Sequence, residues 1–156
     1  MLVDFNSIRK ESKLIIFSSD KEIVQNAFVN DLELFIKYWT SHGKVVIGSF
    51  KIFFKHIVII AIDESEYSLS GCSKDKCYNF FKKCKKSYNL NFFRRDLVYY
   101  LNDNDFVINT IDDFKKLPIK ERLNFNMLNI MLTYKKDIDL NFKQKYKDSF
   151  WSKICH

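Results

Sequence analysis

Ile57-Val58-Ile59-Ile60-Ala61-Ile62 is an unbroken run of apolar, mostly β-branched residues, and it constrains the fold of this chain more than any other segment. It is far too short to span a membrane and has the length of a strand. Strand side chains alternate between two faces, so a run with no polar position is covered on both and belongs in the middle of a sheet. The preceding stretch, Lys44 to Phe53, is also rich in Val, Ile and Phe. A tight turn at Phe54 and Lys55 makes the two a hairpin, although the usual Asn-Gly is missing.

Other elements arrange themselves around that hairpin. Leu14 to Phe17 reads as a short strand, and Ser19 with Glu22 makes a capping box that predicts a helix opening there. Val24, Phe28, Leu32, Phe35 and Trp39 recur at three and four residues, one apolar stripe that stops before Gly43. Ser70 and Ser73 are both suitable N-caps for a second helix to about Tyr88, with Cys77, Phe81, Cys84 and Tyr88 on its core face and lysines outside. Arg95 to Leu101 and Phe106 to Ile111 read as strands around the polar turn Asn102-Asp103-Asn104-Asp105. Thr110 with Asp113 caps a short helix that ends before Pro118, and Leu123 to Tyr134 reads as another short helix. The order β-α-β-β-α-β plus one strand predicts an α+β, ferredoxin-like two-layer sandwich: an antiparallel sheet with helices on one face. The expectation is a single domain over 1–156, with a compact core at about 12–117 and a C-terminal extension at about 118–156.

Composition narrows the class. At 156 residues, 47% apolar and 17% aromatic, the chain is long enough for one sizeable core. The formal charge of +7 raises the prior for an anionic partner. Usage skewed towards Lys, Asn, Ile, Phe and Tyr has the same consequence when it comes from AT-rich codons. The lysines are also scattered, with Lys82, Lys83, Lys85 and Lys86 on one helix and Lys135, Lys136, Lys143, Lys145 and Lys147 along the tail. Such a distribution predicts weak, salt-dependent nucleic-acid binding without sequence preference. Met1 to Lys10 has no apolar stretch of signal-peptide type, so the expectation is a cytoplasmic protein with no membrane span. Cys77 and Cys84, seven residues apart on one helix, lie about 10 Å apart along its axis, beyond bridging distance. The spacing of Cys72, Cys77 and Cys84 fits no common zinc pattern, which predicts free thiols, no structural metal and no cofactor.

The predicted order of elements brings the reactive residues together. The first helix ends at Trp39 and His42, the central strand ends at Asp63 and Glu64, and the second helix starts at Ser70 to Asp75, all at one edge of the sheet. Two chemistries fit. In a thiol enzyme, Cys72 in the first turn of a helix would be the nucleophile, His42 its base, and Asp63 or Glu64 the group orienting the base. In a binding module, Ser70, Gly71, Ser73 and Asp75 would hold an anion at helix N–H groups, beside Trp39. Each residue also has a plain structural role: Cys72 as a small buried hydrophobe, His42 as a C-terminal cap, Asp63 as acceptor for the next turn, Trp39 as core.

Trp39-x-x-His42-Gly43, the strand ending in Asp63-Glu64, and Ser70-Gly71-Cys72-Ser73-x-Asp75 resemble a family of small Bacteroidetes-type proteins, and the likeness extends towards Asp148-Ser149. Lys74 departs from the pattern where an apolar residue is expected, as does Phe150-Trp151 where the family has a Trp-His pair. Members carry the name ABC-transporter ATPase. That name implies a phosphate-binding loop ending in Gly-Lys-Ser/Thr. The glycines here are Gly43, Gly48 and Gly71; Gly43-Lys44 is followed by Val45, with no glycine five residues upstream. No P-loop is present. The sequence therefore favours a module that binds a small anionic ligand or a protein partner through the Ser70–Asp75 turn. The Cys72 enzyme and an RNA-binding accessory protein are the alternatives.

Overall fold

The computed structural model describes residues 1–155, which backbone contacts group into two compact units: 1–93 with 133–136, and 94–132 with the residues from 137 onward. The first unit contains β1 (Lys13–Ser18), α1 (Asn26–Tyr38), β2 (Thr40–Ser41), β3 (Lys44–Val45), β4 (Ile47–Phe53), β5 (Ile57–Asp63) and α2 (Gly71–Tyr88). Its main sheet is antiparallel, in the order β1-β5-β4. The apolar run is the central strand, and every residue from Ile57 to Ile62 is buried. Phe54 and Lys55, both with positive φ, make the turn into it.

Both helices bury their apolar stripes with alternate residues of the sheet. Phe28, Leu32 and Ile36 of α1 and Cys77, Phe81 and Cys84 of α2 form one core with Phe17, Val58, Ile60 and Ile62. Phe17 stacks on Phe81 at 3.8 Å between ring centroids. Each such side chain removed from water contributes about 1.5–3 kcal/mol. The helix α2 has the Ser70 cap that its sequence demands, and Asn89, with φ of 56°, closes it in the left-handed conformation.

The start of α1 differs from expectation. Ser19 and Glu22 do not form a capping box; the helix begins at Asn26, and Gln25 stands at the cap with no side-chain cap bond. The Ser19 hydroxyl accepts from Lys21 N–H, and the N–H groups of Ser19, Asp20 and Ile23 are taken by His56, Asn91 and Lys55 carbonyls. A segment whose donors are already spent on other chain segments has no need of helix. Val24 is consequently exposed, and at the other end of the helix Ile36 is buried while Phe35, which the stripe includes, is only partly buried against the same core.

The second unit contains β6 (Leu97–Asn102), β7 (Asp105–Thr110), α3 (Ile111–Lys116), α4 (Ile119–Arg122), β8 (Asn126–Leu128), α5 (Ile138–Asn141), β9 (Lys143–Lys145) and α6 (Phe150–Ile154). Its sheet is antiparallel, in the order β7-β6-β8-β9. Thr110 caps α3 by accepting from Asp113 N–H at 3.1 Å, as the sequence predicts. Val98, Tyr100, Phe114, Phe125, Met127, Tyr146 and Cys155 form its core.

Two expectations are corrected here. A ferredoxin-like sheet needs the strand after α2 to pair with β1, but β6 pairs with β7 through a tight turn on one edge and with β8 on the other. The α+β character and antiparallel pairing remain, in separate small sheets, and the free side of β1 is bridged by Tyr134 opposite Lys13. Within Leu123 to Tyr134, residues Asn126–Leu128 form a strand rather than a helix, because Met127 and Leu128 are both buried against pairing partners in β6 and β9. Cys155 belongs to the core of the second unit: it is buried, and its carbonyl accepts from Arg122 and Tyr146. No described helix is long and apolar enough to cross a membrane.

Candidate functional site

Three strand ends meet at one end of the first sheet: Lys13 opposite Ile62 and Ile47 opposite Asp63. The C-terminus of α1 and the N-terminus of α2 reach the same end through a lattice of serine hydroxyls. Trp39 is 2% exposed, and its Nε1–H donates to Ser73 O at 3.0 Å. Ser73 Oγ donates to Thr40 O at 2.7 Å, Ser70 Oγ donates to Ser73 Oγ at 2.8 Å, and Ser70 N–H donates to Ser41 Oγ at 2.9 Å. Ser73 N–H donates to Ser70 Oγ at 3.1 Å, which is the helix cap itself. Trp39, Ser70 and Ser73, expected to touch a ligand, are thus joined to one another as a fastening between helix and hairpin.

His42 and Gly43, with φ of 50° and 75°, form the two-residue turn between β2 and β3. Two left-handed positions give the turn the twist a short hairpin requires, and glycine supplies the second without strain. His42 is therefore an exposed turn residue rather than a cap on α1, whose last turn is closed by Trp39 N–H to Ile36 O. Gly71, Cys72 and Asp75 are exposed on the first turns of α2. Cys72 is a free thiol there, as are the buried Cys77 and Cys84, both of which burial pushes up to about 12. Among the described residues, no hydrogen bond joins Cys72 to His42, or His42 to Asp63 or Glu64.

Asp63 and Glu64 belong to a different arrangement. With Arg9, Glu11, Ser12, Lys13, Ser65 and Ser68 they line a pocket of about 290 Å³. Their side chains are only 14% and 12% exposed. Lys13 Nζ lies 3.5 Å from Glu64 Oε2, Arg9 Nη1 lies 4.0 Å from Asp63 Oδ1, and Arg9 Nε lies 3.8 Å from Glu11 Oε2. Asp63 Oδ1 also accepts from Ser65 N–H at 2.9 Å, which fixes the turn after β5. Ser12 is 3% exposed, and its Oγ is the one buried side-chain nitrogen or oxygen without a hydrogen-bond partner among the described residues. Its backbone is held in place: the N–H donates to Arg9 O and the carbonyl accepts from Lys135 N–H.

Arg9, Glu11, Ser12, Lys13, Ser65 and Ser68 line this pocket and are not among the residues that the sequence singles out. A signal existed for one of them, since pairing the first strand beside the central one sets Lys13 near the acidic end of that strand, and opposite charges on neighbouring strands attract. Among the described residues, no group of three or more His, Cys, Asp or Glu side chains is placed to hold a metal ion. Compared with family models, curated proteins and solved structures, the chain matches none.

Proposed function

We propose that this protein is a small-ligand-binding module whose ligand sits in the pocket formed by Arg9–Lys13 and Asp63–Ser68. The observation that carries this reading is the unpartnered hydroxyl of Ser12, which lines the pocket together with five charged residues, Arg9, Glu11, Lys13, Asp63 and Glu64. A buried hydroxyl without a partner costs about 1–3 kcal/mol, and native proteins keep few of them. The oxygen is covered in the free protein, so a ligand that displaces the covering group and bonds it recovers that cost on binding. The volume suits a molecule of metabolite size.

The Ser70–Asp75 turn enters this reading as support. Its hydroxyls are spent on holding α2 to β2, which fixes the loop carrying Asp63 to Ser68 at its α2 end. Tyr67, whose hydroxyl donates to Val45 O, pins the same loop at its middle. A rigid loop keeps the pocket's polar groups in position, which lowers the ordering cost of binding. The exposed N–H groups of Gly71 and Cys72 are the anion-holding alternative on the same turn.

The test is a titration of the full chain, labelled with nitrogen-15, against a library of small polar metabolites. Saturable shifts are expected at the amides of Ser12, Lys13, Asp63, Glu64 and Ser65. Shifts confined to Gly71–Asp75 would move the site to the turn, and no saturable shift in either place would refute the binding reading.

A further inference from the structure

The charges in this pocket are graded from floor to rim. Asp63 and Glu64 are nearly covered, whereas the side chains of Arg9 and Lys13 are 53% and 48% exposed. Two fixed carboxylates therefore lie deep, and Arg9 and Lys13 lie at the mouth together with the Glu11 carboxylate, which is 68% exposed and 3.8 Å from Arg9 Nε. The ion pairs between them, at 3.5 to 4.0 Å, are longer than the 2.7–2.9 Å of a closed charge-assisted hydrogen bond. Asp63 Oδ2 and both Glu64 oxygens accept no hydrogen bond among the described residues, Glu64 Oε2 being met only by the Lys13 ion pair at 3.5 Å, and the unpartnered Ser12 hydroxyl belongs to a residue lining the same pocket. The floor thus presents acceptors that lack donors, and the rim presents donors that lack closely held acceptors.

Resting on the binding reading above, we infer that the ligand is a small zwitterion, with a primary ammonium on the floor and a carboxylate or similar acid group at the rim. An ammonium carries three donors and no acceptor, which matches Asp63, Glu64 and the Ser12 hydroxyl. The acid group then takes Arg9 and Lys13. An anion alone meets three carboxylates, from Glu11, Asp63 and Glu64, and is repelled. A simple amine satisfies the floor but competes with Arg9 and Lys13 for the same carboxylates and gives those two cations nothing in return. A quaternary ammonium cannot donate a hydrogen bond and leaves the floor unsatisfied.

The experiment is calorimetric titration of the full chain with glycine, β-alanine, 4-aminobutanoate and 6-aminohexanoate, which vary the distance between the two charges. Propylamine and butanoate are the two halves of 4-aminobutanoate, and 4-(trimethylammonio)butanoate removes its ammonium donors. One amino acid is expected to bind at least tenfold more tightly than its matched amine or acid, with the trimethylated compound weaker than its parent. Asp63→Asn with Glu64→Gln should weaken the amino acid and propylamine together and leave butanoate no weaker, while Trp39 fluorescence verifies the fold. Propylamine binding as tightly as the best amino acid would overturn the zwitterion. So would a panel that fails entirely while other library molecules shift the Ser12 and Asp63 amides, an outcome that leaves the pocket as a binding site. Failure of every molecule at those amides removes the pocket reading and this inference together.

Discussion

Replacing Ser12 by Ala should make the protein more stable, a sign opposite to that of most substitutions at buried positions. Ser12 Oγ is covered and has no partner, so removing it relieves an unmet hydrogen-bonding demand worth about 1–3 kcal/mol. The opposing term is the space left by one oxygen atom, on the order of a few tenths of a kcal/mol at the measured cost per unit of cavity volume. The methyl group of alanine fits the backbone already held by Arg9 O and Lys135 N–H. A net gain of about 1–2 kcal/mol results. Trp39 and Trp151 are the two tryptophans and lie in different units, so a Trp151→Phe background leaves Trp39 as reporter of the unit that holds Ser12. With a urea slope of about 1–3 kcal/mol per molar, the midpoint should rise by roughly 0.3–2 M. An unchanged or lowered midpoint would show that the hydroxyl is satisfied, and the argument that the pocket stores an unmet bond would fail.

Two further outcomes follow from chemistry elsewhere in the chain. Cys72, being exposed, should take a small alkylating reagent at neutral pH well before Cys77 and Cys84, whose thiols burial holds protonated up to about 12; mass mapping of partly modified protein reads the order, and early modification of either buried thiol would refute it. Arg122→Met should destabilise the second unit by about 1.5–3 kcal/mol: the buried guanidinium donates to Lys115 O, Leu117 O, Cys155 O and the Tyr146 hydroxyl, and methionine takes that donor from Lys115 O and Leu117 O and leaves Cys155 O with the Tyr146 hydroxyl alone. Trp151 fluorescence in a Trp39→Phe background measures this, and a loss under 1 kcal/mol would mean that the cage contributes little.

What could be read from the sequence was whatever depends on near neighbours. The caps at Ser70 and Thr110, the central strand at Ile57–Ile62 and the core face of α2 each follow from residues within one or two turns of one another. Ser19 shows where such reasoning ends: its spacing to Glu22 is right for a cap, but bonds to His56, Asn91 and Lys55 from distant parts of the chain decide the conformation. The fate of β6 was hidden for a related reason, since the β8 segment that claims its second edge reads ambiguously between helix and strand. For the site, Asp63 and Glu64 were visible as acids closing an apolar strand. Arg9, Ser12 and Lys13 were not, because sequence offers no measure of how near they come to those acids or of whether a hydroxyl lacks a partner.

Serine serves two opposed purposes at this one end of the sheet, and the sign of an alanine substitution separates them. Ser73 is as buried as Ser12, at 2% against 3%, but its hydroxyl donates to Thr40 O and accepts from Ser70 Oγ. Ser73→Ala leaves the Thr40 carbonyl short of a donor and Ser70 Oγ short of an acceptor, at a cost of about 1–3 kcal/mol. It also loosens the seat of Trp39, whose indole N–H bonds the carbonyl of the same residue, so its fluorescence should redden towards the value of a solvated indole. The urea midpoint should therefore fall for Ser73→Ala where it rises for Ser12→Ala, two identical chemical changes on one sheet end. Equal falls for both would make Ser12 an ordinary buried serine. The opposite pair of signs marks Ser73 as part of the scaffold and Ser12 as a group whose bond is made by something other than the scaffold.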